Sequence, residues 1–178
     1  RDFGISREDC DRWAYRSHRR ALDAMEKGKF DEEIFPLSVV GPEGPFTFDK
    51  DEGPRWDTTL EGLAALKPAF AASAESGVST AGNSSQTSCG AAASVLTSGN
   101  LVRELGLHPL ARLRGYVVAA GDPGHLGPAQ FPAIEEACRQ AGISVADIGL
   151  VECNEAFAAQ TLCVVRHFAF DEEIVNVN

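Results

Sequence analysis

From Ile5 to Gly28 the positions Cys10, Trp13, Ala14, Ser17, Ala21, Ala24 and Met25 recur at helical spacing and predict one amphipathic helix. Ser6 stands three residues before Asp9, a variant of the capping box, and marks the start. Gly28 marks the stop, because glycine takes the left-handed conformation of a helix end without a Cβ penalty. Phe30 opens a new element. The run Ile34 to Val40 reads as a short strand whose Pro36 suits an edge, Gly41-Pro42-Glu43-Gly44-Pro45 as a loop, and Phe46-Thr47-Phe48 as a brief alternating strand. Thr58 or Thr59 caps a short helix through Leu60, Leu63, Ala64 and Leu66, which Lys67-Pro68 ends because the residue before proline avoids the helical region.

Gly77 to Gly90 is a run of Ser, Thr, Gly and Asn with few apolar members and predicts a loop, the kind of segment on which binding groups tend to sit. Ala91 to Leu96 has no polar face and predicts a helix buried on most sides. Thereafter the character changes. Leu113 to Ala120 is strand-like, Pro132 to Ala141 helical with Gly142 as its stop, Ile148 to Glu152 a strand, and Glu155 to Phe168 a helix. This alternation predicts an α/β protein with βαβ units and a parallel sheet. Ile174 to Asn178 begins another strand and stops with no turn or tail, the pattern expected of a truncated domain.

The 178 residues are enough for one or two compact domains, and 44% hydrophobic with 24% charged residues describes a globular chain. No apolar run approaches a membrane span and no leader peptide is visible. A formal charge of −10 repels nucleic acid phosphates and anionic lipid, so neither is an expected partner. An anionic small molecule remains compatible, since local cations and backbone N–H groups outweigh a distant field screened over about 8–10 Å. The cysteines Cys10, Cys89, Cys138, Cys153 and Cys163 form no CxxC pair, which suits a reducing cytoplasm. The four scattered histidines give no argument for a metal.

Two strings are more distinctive: Thr80-Ala81-Gly82-Asn83-Ser84-Ser85 running into Gly90-Ala91-Ala92-Ala93, and Glu152-Cys153-Asn154-Glu155-Ala156-Phe157-Ala158-Ala159-Gln160. Both resemble thiolase signatures. Ser17-His18, Gly28-Lys29-Phe30, Arg55, Thr58-Thr59-Leu60, Leu66-Lys67-Pro68-Ala69-Phe70 and Ile174 to Asn178 resemble the same family in the same order, so the resemblance covers essentially the whole chain. It implies a partial thiolase-like α/β fold: residues 1–87 as the latter part of the loop domain, 88–108 as a return to the N-terminal half, and 109–178 as the start of the C-terminal half. It also implies acyl transfer between acyl-CoA and acetyl-CoA, with CoA as substrate, no permanently bound cofactor, and assembly as dimers or tetramers.

The family reaction passes through a cysteine acyl-enzyme and builds negative charge on a thioester oxygen, which fixed donors stabilise. By resemblance Asn154 is the asparagine that holds a water for this oxyanion hole, although an asparagine there is also a natural helix cap. Ser85 matches a hydroxyl on the pantetheine arm, and Ala81 and Gly82 the backbone beside it. Arg55 matches a residue against the CoA nucleotide, where a guanidinium stacks and pairs with phosphate; a solvated surface charge is the plainer alternative. Phe70 and Phe157 match aromatics near the pantetheine and acyl group, with core packing as their alternative.

Two positions depart from the family pattern. Cys89 stands where an aspartate commonly precedes Gly-Ala-Ala, and Ala129-Gln130 where Gly-Pro is usual, which leaves acyl chain length open. The family's nucleophilic cysteine, its Gly-His-Pro histidine and its second cysteine match nothing in this chain, so the isolated chain is expected to be inactive. The rival reading is a non-catalytic thiolase-like protein that binds acyl-CoA or a partner. Cys89 is not expected to be the nucleophile: replacing it with Ser or Asp in the full-length enzyme is expected to leave the covalent acyl-enzyme intact, and mass spectrometry after acetyl-CoA treatment checks this.

Overall fold

The computed structural model describes residues 3–70 and 77–178, and the chain divides into two compact units, Arg1–Gln86 with Ile148–Asn178, and Thr87–Asp147. The first unit is built on helix α1, Arg7–Glu26. Its predicted capping box forms: the Asp9 N–H donates to Ser6 Oγ and the Ser6 N–H to Asp9 Oδ2, both at 3.0 Å. Gly28 follows the helix end in the left-handed region at φ +65°, as its position requires. Cys10, Trp13, Ala14 and Ala24 are buried along one face and form an apolar stripe, while Leu22 is buried on the side opposite Trp13.

That stripe meets helix α5, Ala158–Phe168, and the shared core joins Cys10 and Trp13 to Ala158, Leu162, Val165 and Val175. Burial, followed by the nearby Asp11 and Asp9 carboxylates, pushes the Cys10 thiol up to about 11, which makes it an inert packing group. The predicted strands at 148–152 and 174–178 meet as one parallel bridge, Val151 to Val175, with hydrogen bonds of 2.9 and 2.8 Å. Arg20 Nη1 donates to Val175 O at 2.9 Å and Arg16 Nη2 to the same oxygen at 3.2 Å, so α1 holds this C-terminal segment by its backbone.

Strands β1, Leu37–Gly41, and β2, Gly44–Phe48, form an antiparallel hairpin in register Leu37 to Phe48. The loop expected over Gly41 to Pro45 is thus a tight turn at Pro42-Glu43. Gly44, at φ +116°, turns the chain where a side chain would strain it. Helix α2, Leu60–Ala64, starts at Thr59, whose Oγ1 accepts from the Gly62 N–H at 3.0 Å. Arg7 Nη2 on α1 donates to the α2 carbonyls of Leu63 at 2.6 Å and to Leu66 O at 2.9 Å, satisfying orphan groups at that helix's end.

The second unit holds helices α3, Gly99–Glu104, and α4, Phe131–Ala141, the latter ended by Gly142 at φ +70° as expected. The buried helix expected over 91–96 is absent: Val95 is 96% exposed, and a segment without a polar face is helical only where neighbours cover it. Cys89 therefore does not stand at a helix N-terminus. Leu113 to Ala120 carries no strand either, for within the unit no described segment offers it a ladder of hydrogen bonds. Instead Gln140 Oε1 on α4 accepts from the Tyr116 N–H at 3.2 Å. Only Gly127 and Cys138 of this unit are buried.

The start of α1 yields a stability prediction. Ser6→Ala should cost about 1 kcal/mol, the usual worth of a helix cap. Asp9 is held well below its ordinary 3.8 by the Ser6 N–H first and the Arg166 guanidinium next. Its contribution is therefore complete above pH 3.8 and lost as pH falls through the lower folded value. Wild type should melt above Asp9→Asn at neutral pH, and the two should converge in acid; a gap independent of pH would remove the charged cap.

Candidate functional site

The site lies within the first unit, where the turn 152–157 leads from the Val151 bridge into α5. Residues 77–86 of the loop predicted over 77–90 are held against this turn by backbone pairing: the Ser85 N–H donates to Ala156 O and the Ala158 N–H to Asn83 O, each at 3.0 Å, with Ser84 bridged antiparallel to Phe157. The loop itself is organised by Asn83, which is 3% exposed. Its Oδ1 accepts from the Thr80 N–H at 2.8 Å, while Nδ2 donates to Val78 O at 2.9 Å and to Asp11 Oδ1 on α1 at 2.8 Å. Asp11 Oδ2 in turn accepts from Arg7 Nε at 2.8 Å, so the buried carboxylate is paired at both oxygens.

A cleft of about 350 Å³ opens between α1, this loop and the turn, within the range of small-ligand sites. Gly82, Ser85 and Asn154, all expected from the sequence, line it together. Asn154 is exposed to the cleft and does not cap α5, whose cap position is Phe157 without a side-chain hydrogen bond. Ala81 is exposed beside Gly82 and is absent from the lining. Gly82 faces away from solvent on its other side, where a Cβ would stand 2.5 Å from both Leu63 Cδ2 and Leu66 Cδ1.

Arg55 does not line the cleft and touches it only through His18. Its N–H donates to His18 Nδ1 at 3.2 Å, while its guanidinium is exposed 3.7 Å from Asp57 Oδ1. His18 lines the cleft; burial first and the Arg55 charge second push its imidazole below the ordinary value, which keeps Nδ1 an acceptor. Phe70 and Phe157 meet edge to face at 5.9 Å, Phe70 being 76% exposed, so neither is a buried core residue and neither lines the cleft.

Sequence reasoning missed Trp13, Ser17, Glu155 and Asn176 as members of this site. The Glu155 carboxylate, half-buried, accepts from Trp13 Nε1 at 2.7 Å, Asn176 Nδ2 at 2.8 Å and Ser17 Oγ. Asn176 also pairs with Cys153, accepting from its N–H at 2.7 Å and donating to its carbonyl at 2.9 Å. The available signal was Ser17, a polar residue on the apolar stripe of α1. Among the described residues no group of three or more His, Cys, Asp or Glu could hold a metal, and no helix is long and apolar enough to cross a membrane.

A loop pinned to a strand-to-helix turn at the end of a parallel pairing is the arrangement of an α/β protein, and the cleft stands beside that turn. Residues 1–100 match the family model described as thiolase, N-terminal domain, and residues 107–178 that described as thiolase, C-terminal domain; the chain belongs to the thiolase family. It is 45% identical to a 3-ketoacyl-CoA thiolase of Bacillus subtilis over 99% of this chain and 46% of that protein. It is 43% identical to an acetyl-CoA acetyltransferase of Escherichia coli over 100% of this chain and 44% of that protein. The crystal structure of the Bacillus anthracis acetyl-CoA acetyltransferase superposes with a TM-score of 0.92 at 45% identity, covering 99% of this chain and 44% of that one. Human mitochondrial 3-ketoacyl-CoA thiolase gives 0.89 at 42% identity, covering 98% and 43%. The chain thus spans a little under half the length of these relatives, and its fold is a partial thiolase-like α/β fold.

The tight fit at Gly82 gives a direct test of the loop's seat on α2. Gly82→Ala should destabilise by about 1–3 kcal/mol, the usual cost of overpacking. Adding Leu66→Ala, which removes one of the two colliding methyls near the surface, should recover part of that loss in chemical denaturation. Additive losses would show that the collision is not the cause.

Proposed function

We propose that this chain supplies the CoA-binding loop and the oxyanion-hole asparagine of an enzyme that transfers acyl groups between acyl-CoA and acetyl-CoA, by Claisen condensation or its thiolytic reverse. The nucleophilic cysteine and the catalytic histidine belong to segments outside these 178 residues. The observation that carries this reading is the convergence of Asn154, Ser85 and Gly82 on one cleft. Family membership and the relatives' names support it.

In this reading the Asn154 amide orients a water at the thioester oxygen, donating as negative charge develops there. Ser85 keeps an exposed hydroxyl for the pantetheine arm, and Ala81 and Gly82 let that arm approach the main chain. Arg55, whose guanidinium is exposed, meets the nucleotide phosphates. Phe70 and Phe157 present an apolar edge to the pantetheine and acyl group. No cofactor is permanently bound; CoA and its esters are substrates. Residues 1–87 serve as loop domain, 88–108 as the return to the N-terminal half and 109–178 as the start of the C-terminal half. The complete enzyme works as a homodimer or homotetramer, and five free cysteines suit a cytoplasmic setting.

The test is Asn154→Ala in the full-length enzyme. It should lower kcat about 10²-fold or more with KM little changed, because the interaction strengthens only in the transition state. Its melting temperature should hold, since Asn154 caps no helix. The isolated chain should show no thiolysis of acetoacetyl-CoA. Turnover by the isolated chain, once mass spectrometry excludes full-length contaminant, would overturn the assignment of the nucleophile to an outside segment.

A further inference from the structure

Asn154 sits on a turn with no helix or strand of its own. A side chain that orients a water needs its backbone held within about 0.5 Å by surrounding contacts. Those contacts are present on both flanks. On the N-terminal side, Asn176 closes a two-bond ring on Cys153, N–H to Oδ1 at 2.7 Å and Nδ2 to the carbonyl at 2.9 Å, the same pairing a neighbouring strand would make. On the C-terminal side, Glu155 is tied to α1 through Trp13 Nε1 at 2.7 Å and through Ser17 Oγ. Asn176 Nδ2 reaches Glu155 Oε1 as well, at 2.8 Å, so a single amide ties both neighbours of Asn154 together.

The backbone of Asn176 confirms how specific this arrangement is. It occupies the left-handed region at φ +48°, a conformation that asparagine tolerates better than most residues and that folds its side chain back onto the turn. Glu155 needs a comparable explanation, because a half-buried carboxylate is costly unless paired. It stands before the first residue of α5 and caps nothing there. Three donors converge on it instead, and this leaves it poorly placed to move a proton although it borders the cleft.

We propose that Glu155 and Asn176 are positioning residues, a clamp on either side of Asn154 that aims its amide into the cleft and sets the turnover rate without binding substrate. The proposal deepens the acyl-transfer reading and rests on it for its kinetic consequence. The clamp itself is a statement about the turn 152–157 and is separately measurable.

The experiment uses the natural-length polypeptide that contains this chain, with Glu155→Gln and Asn176→Gly. Glycine keeps the left-handed backbone and removes only the side chain. Misplacement of a reacting group by about 1 Å can cost 10²-fold, so each variant should lose about 10-fold or more in kcat, with KM for the CoA thioester within about 2-fold. The limbs of the pH–rate profile should not move, whereas loss of a limb in Glu155→Gln would make Glu155 a proton-transfer group and overturn the proposal. In an Asn154→Ala background each change should add less than about 2-fold, since residues acting as a unit are not additive; full additive losses would overturn it. Amide hydrogen exchange over 152–157 should accelerate in both variants while α5 exchanges as in wild type, and unchanged exchange in the turn would likewise overturn it. If α5 also loosens in Glu155→Gln, Ser17→Ala, which removes one donor of three, takes its place with the same expectations at smaller amplitude. An inactive wild type would sink the acyl-transfer reading alone, and the exchange result would still decide for or against the clamp.

Discussion

Asp11 on α1 is the group on which the arrangement of the first unit depends. At 4% exposure its carboxylate is tolerable only because Arg7 takes one oxygen and the Asn83 amide the other. Through Arg7 the same network reaches the end of α2, and through Asn83 it reaches the loop 78–83. Removing Asn83 would leave a buried carboxylate half-paired and the Thr80 N–H without an acceptor. The polar network thereby imposes one geometry on a loop whose composition would otherwise permit many.

Helix α1 performs this organising role twice. Further along the helix, Trp13 and Ser17 present donors to Glu155, so the loop and the turn paired beside the cleft are both referred to one rigid element. The apolar stripe between them, Cys10 and Trp13 against Leu162 and Val165, supplies the non-directional attraction, while the two carboxylates supply register. This division of labour keeps Gly82, Ser85 and Asn154 on a common wall although 72 positions separate Asn83 from Asp11.

Membership of the thiolase family and the thiolase-like fold are shown by the match over both halves of the chain and by the superposition on solved thiolases. The second unit shows what such a match leaves to context. Its helices α3 and α4 form where caps and a glycine stop specify them locally, with Ser98 accepting from the Leu101 N–H and Gly142 ending α4. Segments 91–96 and 113–120 have the composition of buried elements, yet burial and ladder pairing are properties of neighbours, and the described residues of that unit provide neither.

What the sequence by itself determined is therefore local or carried by signature strings: the capping box at Ser6, the stops at Gly28 and Gly142, the Thr59 cap, the loop after Gly77, and the candidates Asn154, Ser85 and Gly82. Each of these rests on a few consecutive residues whose backbone chemistry acts at short range. The tertiary structure alone decided that Pro42-Glu43 is a hairpin turn, that Asn154 is no helix cap, that Phe70 and Phe157 pair outside the core, and that Glu155 and Asn176 belong to the site. Those outcomes depend on hydrogen bonds and contacts between residues as far apart as Trp13 and Glu155. No periodicity or spacing encodes such a pair, because its partners become neighbours only when the apolar faces of α1 and α5 close on each other.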